Sequence, residues 1–402
     1  LGMQAVGEGT AVEKMIIKQY ESLPDKTSGF ALRLLAALCL KYLQDGQLKQ
    51  AEQTAKLILS HAKPQNLGVL SGWANYVLGM VYYHWNDLKT ARLYFDDLAK
   101  IRERAHLTTA RHGLIGLAYV CQATGQSAKA WEVLDLLSRF DLERTGRVSE
   151  PTLSAQAYLL LSGGKLAEAE RWAADFSAPI HVNLFVLFEL PHLTQVRILL
   201  AGNNKDNALR ALTLLDELLS LTEKYHNVRR KIDVLALTAY ALDIVGQTQA
   251  SLKVLQQATQ LAYPGGFIQT FVSLGPRMRR LLQELPQRNG VAQFAQGILL
   301  AFEEQQENGH ISVLVNNQSK TGSPQPPVAA VSDWVEHLTP REMQVLTLLR
   351  EPLGIKEIAV KLRMSYATAK RHTINIYDKL GVGSRWEAVT KAEALVILTP
   401  RP

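Results

Sequence analysis

Basic side chains gather in one short helical stretch near the C-terminus, TAKRHTINIYDKLGV, residues 368 to 382. Lys370, Arg371 and His372 stand together near its start, and Lys379 lies near its end. Ammonium and guanidinium groups bind phosphates, and an arginine can also make two hydrogen bonds to a guanine in the major groove. Because basic turns are also common on solvated surfaces, the chemistry of this stretch depends on the elements around it.

Helix-start signals surround this stretch. In LTPREMQVLTLL, Thr339 is a predicted N-cap, Pro340 occupies the first helical position and Glu342 completes a capping box. In IKEIAVKLRMS the apolar residues share one face of a second helix, and Ser365 is predicted to cap the third. A second capping box, in GSRWEAVTKAEALVIL, starts a fourth helix. This order predicts a helix-turn-helix domain with one helix before it and one after it.

Helical spacing divides the third helix into two faces. Ala369, Ile376 and Leu380 fall at i, i+7 and i+11 and are predicted to face the core. On the opposite face, Arg371 could read a guanine and Ile374 a thymine methyl group, with phosphate contacts beside them. The alternative is that Ile374 packs against another helix and that the neighbouring lysine is solvated. The predicted DNA-contacting residues are Ser365, Thr368, Lys370, Arg371, His372, Ile374, Asn375, Lys379, Ser384 and Arg385.

The first two-thirds of the chain repeat one pattern: an apolar helix, a Gly or Asn in a turn, and a small residue five positions later in a second helix. The turn residues are 40, 39, 39, 39 and 43 positions apart. Such a period predicts stacked helix pairs, because one pair cannot bury its apolar face alone. The pairs of turn and small residues are Gly46 with Ala51, Asn86 with Ala91, Gly125 with Ala130, Gly164 with Ala169, Asn203 with Ala208, and Gly246 with Ser251.

This pattern, at residues 30 to 262, resembles tetratricopeptide repeats with helices longer than in their usual period of about 34 residues, and HEAT-like pairs are the alternative. The stretch NNQSKTGSPQPP, residues 316 to 327, is rich in Asn, Ser, Gly and Pro and predicts a flexible linker. The predicted fold is all-α. It consists of a tetratricopeptide-like helical-repeat superhelix at residues 10–304, a linker at 305–332, and a four-helix helix-turn-helix domain at 333–402.

The first helix of each pair is predicted to line the concave face of the superhelix. Aromatic rings and an arginine there could stack on and hold a small effector or a peptide, although aromatic residues at helical spacing are more often core residues. The sequence does not specify which effector. The predicted groove residues are Trp73, Tyr76, Tyr83, His112, Tyr119, Tyr158, Arg197 and Tyr240.

Features of the whole chain narrow the class of protein. Of its 402 residues 47% are hydrophobic, enough for packed cores, and its net charge of +7 permits a polyanionic partner. Neither a run of 18 apolar residues nor an export signal occurs, so we expect a cytoplasmic protein without a membrane partner. Cys39 and Cys121 lie in apolar helical patterns, so neither a disulfide nor a metal site is expected. We expect no enzymatic activity, because no close Ser, His and Asp set and no phosphate loop occurs.

The C-terminal motifs together resemble the LuxR-type helix-turn-helix of bacterial transcription regulators. Pro352, Ile355 and Ala369 depart from the Gly, Asn and Val that are common in that family, which affects the fine DNA geometry more than the fold. The positions that match the family motif are Lys356, Glu357, Ile358, Ala359, Thr368, Lys370, His372, Leu380, Gly381 and Ser384.

The repeats followed by LAYPGGFIQTFVSLGPRMRRLL resemble the large ATP-dependent LuxR-type activators related to the maltose regulator MalT. This resemblance implies a nucleotide switch, a superhelical sensor and a C-terminal DNA-binding domain. No GxxxxGK[ST] loop occurs, so no cofactor is expected here, and ATP would need a separate N-terminal domain. Because the chain starts at Leu1, with Met3 as its first methionine, we expect that such a domain has been removed. A family member that never had the domain is the alternative.

The sequence thus predicts a bacterial transcription regulator that binds specific double-stranded DNA, with repeats that sense an effector or a protein partner. RNA polymerase is a further expected contact. Apolar Val389, Val396 and Ile397 on the fourth helix predict a dimer on DNA. The alternative function is a helical-repeat scaffold for protein–protein interaction that binds DNA only weakly.

Overall fold

The computed structural model of the chain describes residues 9–180, 187–285 and 290–307, and most residues between 340 and 392. The described residues form helices, turns and loops without a strand, so the predicted all-α fold is confirmed. The chain divides into two compact units, Leu1–Ser319 and Lys320–Pro402. Most of the predicted linker lies outside the described residues, and its limits stay a prediction.

Unit 1 is an array of helix hairpins. Helix α1 (Gly9–Ser22) precedes the array. The six pairs are α2 (Gly29–Gln44) with α3 (Leu48–Ala62), α4 (Gly68–His84) with α5 (Leu88–Lys100), α6 (Leu107–Ala123) with α7 (Ser127–Thr145), α8 (Glu150–Ser162) with α9 (Leu166–Asp175), α10 (Pro191–Ala201) with α11 (Lys205–Lys224), and α12 (Val228–Ile244) with α13 (Thr248–Ala262). After them come α14 (Gln269–Val272), α15 (Pro276–Gln283) and α16 (Gly290–Glu307).

The turn inside each pair adopts a left-handed backbone, as the Gly and Asn anchors require. In the first pair Gly46 has φ +75°, the backbone N–H of Gln47 donates to the carbonyl of Tyr42 at 2.8 Å, and that of Gly46 donates to Leu43 at 3.3 Å. This hydrogen-bond pattern satisfies the last carbonyls of the first helix and reverses the chain. Positive φ recurs at all six predicted turn residues: Gly46, Asn86, Gly125, Gly164, Asn203 and Gly246.

The small residue five positions after each turn lets the two helices of a pair approach closely. All six of these residues have no exposed surface: Ala51, Ala91, Ala130, Ala169, Ala208 and Ser251. Large side chains fill the space between neighbouring pairs. The Phe95 ring, for example, packs so tightly on Gly79 and Gly116 that an added Cβ would lie 2.4 and 2.5 Å from it. The repeat in the sequence therefore corresponds to close side-chain packing between successive hairpins.

The array curves until its end meets its beginning. Trp85 Nε1 donates to the carbonyl of Gly265 at 2.8 Å, across 180 positions of sequence. Beside it, the backbone N–H of Ile268 donates to the carbonyl of His84 at 2.8 Å. Because α12 and α14 also pack against the first two pairs, the concave side of the superhelix becomes an enclosed interior.

Unit 2 is a small helical domain. Its described helices are α17 (Pro340–Leu349), α18 (Ile355–Lys361) and α19 (Tyr366–Leu380), and α17 begins at the predicted proline. Of the predicted fourth helix only scattered residues are described, including Ala388 and Ala392, which are buried in the small core. The core residues of this unit are Val345, Leu346, Leu349, Ile358, Ile376, Ala388 and Ala392.

Candidate nucleic-acid interface and interior cavity

Helix α19 is the second helix of the helix-turn-helix, and its start is capped as the sequence predicts. Ser365 Oγ accepts a hydrogen bond from the backbone N–H of Thr368 at 3.1 Å and lies 2.8 Å from Thr368 Oγ1. The cap satisfies an N–H group that the first turn leaves without a partner. Both hydroxyls are therefore engaged at the helix start, beside the basic turn.

The predicted core face of α19 is present where its side chains are described. Ala369 and Ile376 have no exposed surface, so these two members of the predicted core face are confirmed. Lys370 and Asn375, which flank the predicted outward face, are exposed. Thr373 is also buried and donates to the carbonyl of Ala369 at 2.9 Å.

The remaining predicted DNA contacts of this unit are only partly described. The side chains of Arg371, Ile374 and Lys379 lie outside the described residues, as does all of Ser384, and their DNA contacts stay predictions. His372 is half-buried. For the predicted dimer strip, Val389 is half-buried against the small core, while Val396 and Ile397 lie outside the described residues.

Arg385 was predicted to touch DNA, but its guanidinium is engaged inside the domain. Its Nε donates to the carbonyl of Leu349 at 2.7 Å, and its Nη atoms donate to the carbonyls of Leu353 and Glu351. A cation at the end of α17 stabilises the last carbonyls of that helix. The contacts assign Arg385 a capping role, and a DNA contact of this residue stays a prediction.

The interior of the superhelix in unit 1 holds a cavity. First helices of five successive pairs, α4 to α12, line it together with α14 and with residues 188–190, which precede α10. The volume open to the centres of water molecules is about 40 Å³. Because five of the six pairs each contribute one helix, the cavity depends on the packing of most of the array.

The carboxylate of Glu189 joins three of these helices. It accepts hydrogen bonds from Tyr119 Oη at 2.6 Å, Ser154 Oγ at 2.8 Å and Thr194 Oγ1 at 2.7 Å. Its backbone N–H donates to His112 Nδ1 at 3.3 Å. The side chain is 2% exposed, so this carboxylate relies on protein donors in place of water.

Two adjacent arginines of α12 hold the backbone of the same segment. Arg229 donates to the carbonyl of Leu187 at 3.0 Å, and Arg230 donates to that of Phe188 at 2.9 Å. Arg230 also pairs with Asp233, 3.1 Å between Nη1 and Oδ2. Burial, with the neighbouring Arg230, lowers the pKa of Arg229 to about 9, so the group still carries its charge at neutral pH. These contacts fix residues 187–190 inside the superhelix.

Four of the eight predicted groove residues meet at this cavity: Tyr83, Tyr119, Tyr158 and Arg197. The Tyr119 and Tyr158 rings stack with centroids 3.9 Å apart, and the Arg197 guanidinium lies 5.9 Å from the Tyr158 centroid.

The other four predicted groove residues do not line the cavity. Tyr76 and His112 are buried beside residues 188–189. Trp73 packs on His106, and Tyr240 packs under Arg277. Whether any of the eight residues binds an effector stays a prediction.

The sequence interpretation missed most charged groups of this interior. They come from VRRKIDVLALTAYALDI, where charges interrupt an apolar helix, and from the non-repeating segment before α10. A buried-charge signal was present in α12, because charged residues on its apolar side need partners. The missed residues are His84, Glu189, Arg229, Arg230, Asp233 and Gln269.

No group of three or more His, Cys, Asp or Glu side chains in the described part of the chain could hold a metal ion. Among the helices described, none has the length and apolar character needed to cross a membrane.

Two family models match the chain. Residues 4–288 match the MalT-like TPR region, and residues 336–392 match the bacterial regulatory proteins of the luxR family. The first match favours tetratricopeptide-like over HEAT-like repeats. The second covers all three described helices of unit 2.

Curated relatives match more than half of this chain, but the match covers only a small part of each relative. The HTH-type transcriptional regulator MalT of Cronobacter sakazakii is 28% identical over 258 residues, which are 60% of this chain and 26% of the relative. The protein of the same name from Yersinia enterocolitica is 28% identical over 243 residues, 58% of this chain and 26% of the relative. The chain thus spans about a quarter of the length of these relatives.

Proposed function

Because the chain belongs to the family of MalT-like TPR regions and ends in a luxR-type helix-turn-helix domain, we propose that it regulates transcription by binding specific double-stranded DNA. The observation that carries the proposal is the capped helix α19, which buries Ala369 and Ile376 and leaves Lys370 and Asn375 exposed. A helix with one buried face and one polar, basic face suits insertion into the major groove.

The repeats act as the sensor in this proposal. Their interior carries aromatic rings, three arginines and two carboxylates around a cavity that no single repeat could form. A ligand held there would contact many repeats at once and could change how they pack. RNA polymerase and a second copy of the chain on DNA are the further proposed partners, in line with the name of the relatives, HTH-type transcriptional regulator.

Two substitutions in α19 separate base reading from phosphate binding. Arg371→Ala is expected to relax the preference at one base pair by about 1–3 kcal/mol, because an arginine that reads guanine discriminates against other bases. Lys379→Ala is expected to weaken binding to all sequences alike and to lower the salt slope by roughly one, because a phosphate contact carries no sequence information.

The measurement uses the full chain and a duplex that it selects from a random pool. Competition titrations with single-base variants of that duplex, at two salt concentrations, compare the two variants with wild type and with Lys224→Ala in the repeat region as a control. If Arg371→Ala and Lys379→Ala lowered the affinity for all duplexes to the same extent, the assigned orientation of α19 in the groove would be wrong. If the pool yields no preferred sequence, the chain is a helical-repeat scaffold instead.

A further inference from the structure

The interior cavity of unit 1 contains buried polar atoms for which the described residues supply no partner. His84 is 5% exposed and Gln269 is 2% exposed. Neither ring nitrogen of His84, nor Gln269 Oε1, nor Arg197 Nε has a hydrogen-bond partner among the described residues. All three side chains line the same cavity. Buried polar atoms are normally paired, and several unpaired ones around one space indicate a polar occupant.

The charges around the cavity do not balance. Three arginines, Arg197, Arg229 and Arg230, face two acids, Glu189 and Asp233. Burial, together with the nearby charge of Arg229, lowers the pKa of the His84 imidazole to about 3, so this ring is neutral at neutral pH. One positive charge is therefore in excess.

Arg197 is the arginine of this cavity whose guanidinium lacks an acceptor within hydrogen-bond distance among the described residues. Arg230 is paired with Asp233, Arg229 donates to a carbonyl, and Glu189 accepts from three hydroxyls. Arg197 has no ion pair and no hydrogen bond within the described residues, and lies 5.9 Å from the Tyr158 ring centroid. A half-buried guanidinium without an acceptor favours a carboxylate, which fits its two parallel donors.

The size and the polar groups of the cavity restrict the ligand. A volume of about 40 Å³ for water centres holds about three waters, which leaves room for a very small molecule only. The neutral His84 ring offers one donor and one acceptor, and Gln269 Oε1 accepts. A hydroxyl on the ligand could donate to Gln269 or His84 while its carboxylate meets Arg197.

We propose that this cavity binds a compact hydroxylated monocarboxylate, with Arg197 holding the carboxylate and His84 and Gln269 holding the hydroxyl. The inference rests on the proposed sensing role of the repeats and gives that sensor a ligand class. Three-carbon hydroxy acids have the required size and groups, whereas a larger ligand would have to displace residues 187–190 and the contacts that hold them.

Isothermal titration calorimetry of the full chain, without DNA, tests the inference with sodium lactate. Lactamide, the neutral analogue of the same shape, and inorganic phosphate serve as comparison probes at constant ionic strength. Lactate is expected to bind about 10- to 100-fold more tightly than lactamide, the range that corresponds to losing a hydrogen bond between charged groups. Phosphate is expected to bind more weakly than lactate, because its dianion brings a second negative charge that the single excess positive charge of the cavity does not neutralise.

Variants identify the binding group. Arg197→Gln is expected to weaken lactate binding about 10- to 100-fold, and Arg197→Lys by less, because it keeps the charge but not the fork. Arg277→Gln serves as a control, since Arg277 also lies over a tyrosine ring, 5.5 Å from the Tyr240 centroid, but pairs with Asp243 and does not line the cavity; where this variant folds, it should leave lactate binding unchanged. Circular dichroism checks that each variant folds. If Arg197→Gln does not fold, the comparison of lactate with lactamide on the wild-type chain tests the inference instead.

Absence of lactate binding, equal binding of lactamide, or full binding by folded Arg197→Gln would overturn the inference. None of these outcomes bears on the proposed DNA binding, because the DNA titrations are carried out without lactate. Conversely, a chain that binds lactate but no specific duplex would overturn the proposed function and leave the ligand assignment in place.

Discussion

Lowering the pH from 6.5 to 4.5 is expected to destabilise the repeat unit by up to about 2.7 kcal/mol per pH unit. The cause is a pair of buried histidines, His84 and His112. Burial is the main reason that the pKa of each imidazole falls to about 3, and the nearby Arg229 and Arg111, respectively, lower it further. In the unfolded chain a histidine has a pKa of about 6.5.

The sign of the effect follows from which state binds the protons. Below pH 6.5 the unfolded chain takes up one proton per histidine while the folded protein leaves both rings neutral. The stabilisation is therefore complete above pH 6.5 and is lost progressively as the pH falls toward 3, at up to about 1.4 kcal/mol per unit for each ring. The pKa values of Asp141 and Asp233 are lowered from 3.8, so protonation of these two acids changes the free energy of unfolding mainly below pH 4.

Urea unfolding of the full chain at a series of pH values measures this dependence. The variant with His84→Gln and His112→Gln removes both titrating groups, and its stability should change much less between pH 6.5 and 4.5. Only the slope is compared, since the substitutions also alter the stability at neutral pH. A double variant with the slope of wild type would contradict the assignment.

Replacing Glu189 with alanine is expected to lower the free energy of unfolding of the repeat unit by about 3–5 kcal/mol. The carboxylate accepts from hydroxyls of Tyr119, Ser154 and Thr194, which come from α6, α8 and α10. Its loss leaves these donors without their acceptor and leaves a cavity between three helix pairs.

Two further variants make the Glu189 measurement specific. Glu189→Gln keeps the shape and one acceptor, so a smaller loss is expected. Glu168→Ala removes a glutamate whose side chain is 45% exposed, and it should change stability by less than about 0.5 kcal/mol. Chemical unfolding monitored by circular dichroism gives the three values. If Glu189→Ala resembled Glu168→Ala, the network around residues 187–190 would contribute little.

The repeat architecture could be predicted because its physical requirements are local. A chain reversal between two helices needs a left-handed residue, and Gly46 or Asn86 supply it at little steric cost. Close helix contact needs a small residue, and Ala91 meets that need without exposed surface. The cap of α19 by Ser365 is local in the same sense. Each of these features requires a particular residue type at a fixed spacing in the sequence.

The interior of the superhelix could not be predicted in the same way. Residues 187–190 belong to a segment without periodicity, and their partners lie 35 and 70 positions away in the case of Ser154 and Tyr119. Closure of the array, which brings Trp85 to Gly265, is a sum of small rotations that no single repeat encodes. Four of the eight predicted groove residues line the interior cavity, while the charges between them depended on tertiary structure.

Sequence-specific recognition of duplex DNA is the central claim, and a ratio of two affinities tests it most directly. The full chain would be titrated, at about 150 mM salt, against the duplex that it selects from a random pool and against the same base pairs in permuted order. We expect a preference of about 10³-fold or more for the selected duplex, the range of specific regulators. A ratio near one, with binding of both duplexes lost as salt rises, would mean that the basic turn of α19 is only an electrostatic surface, and would contradict the account.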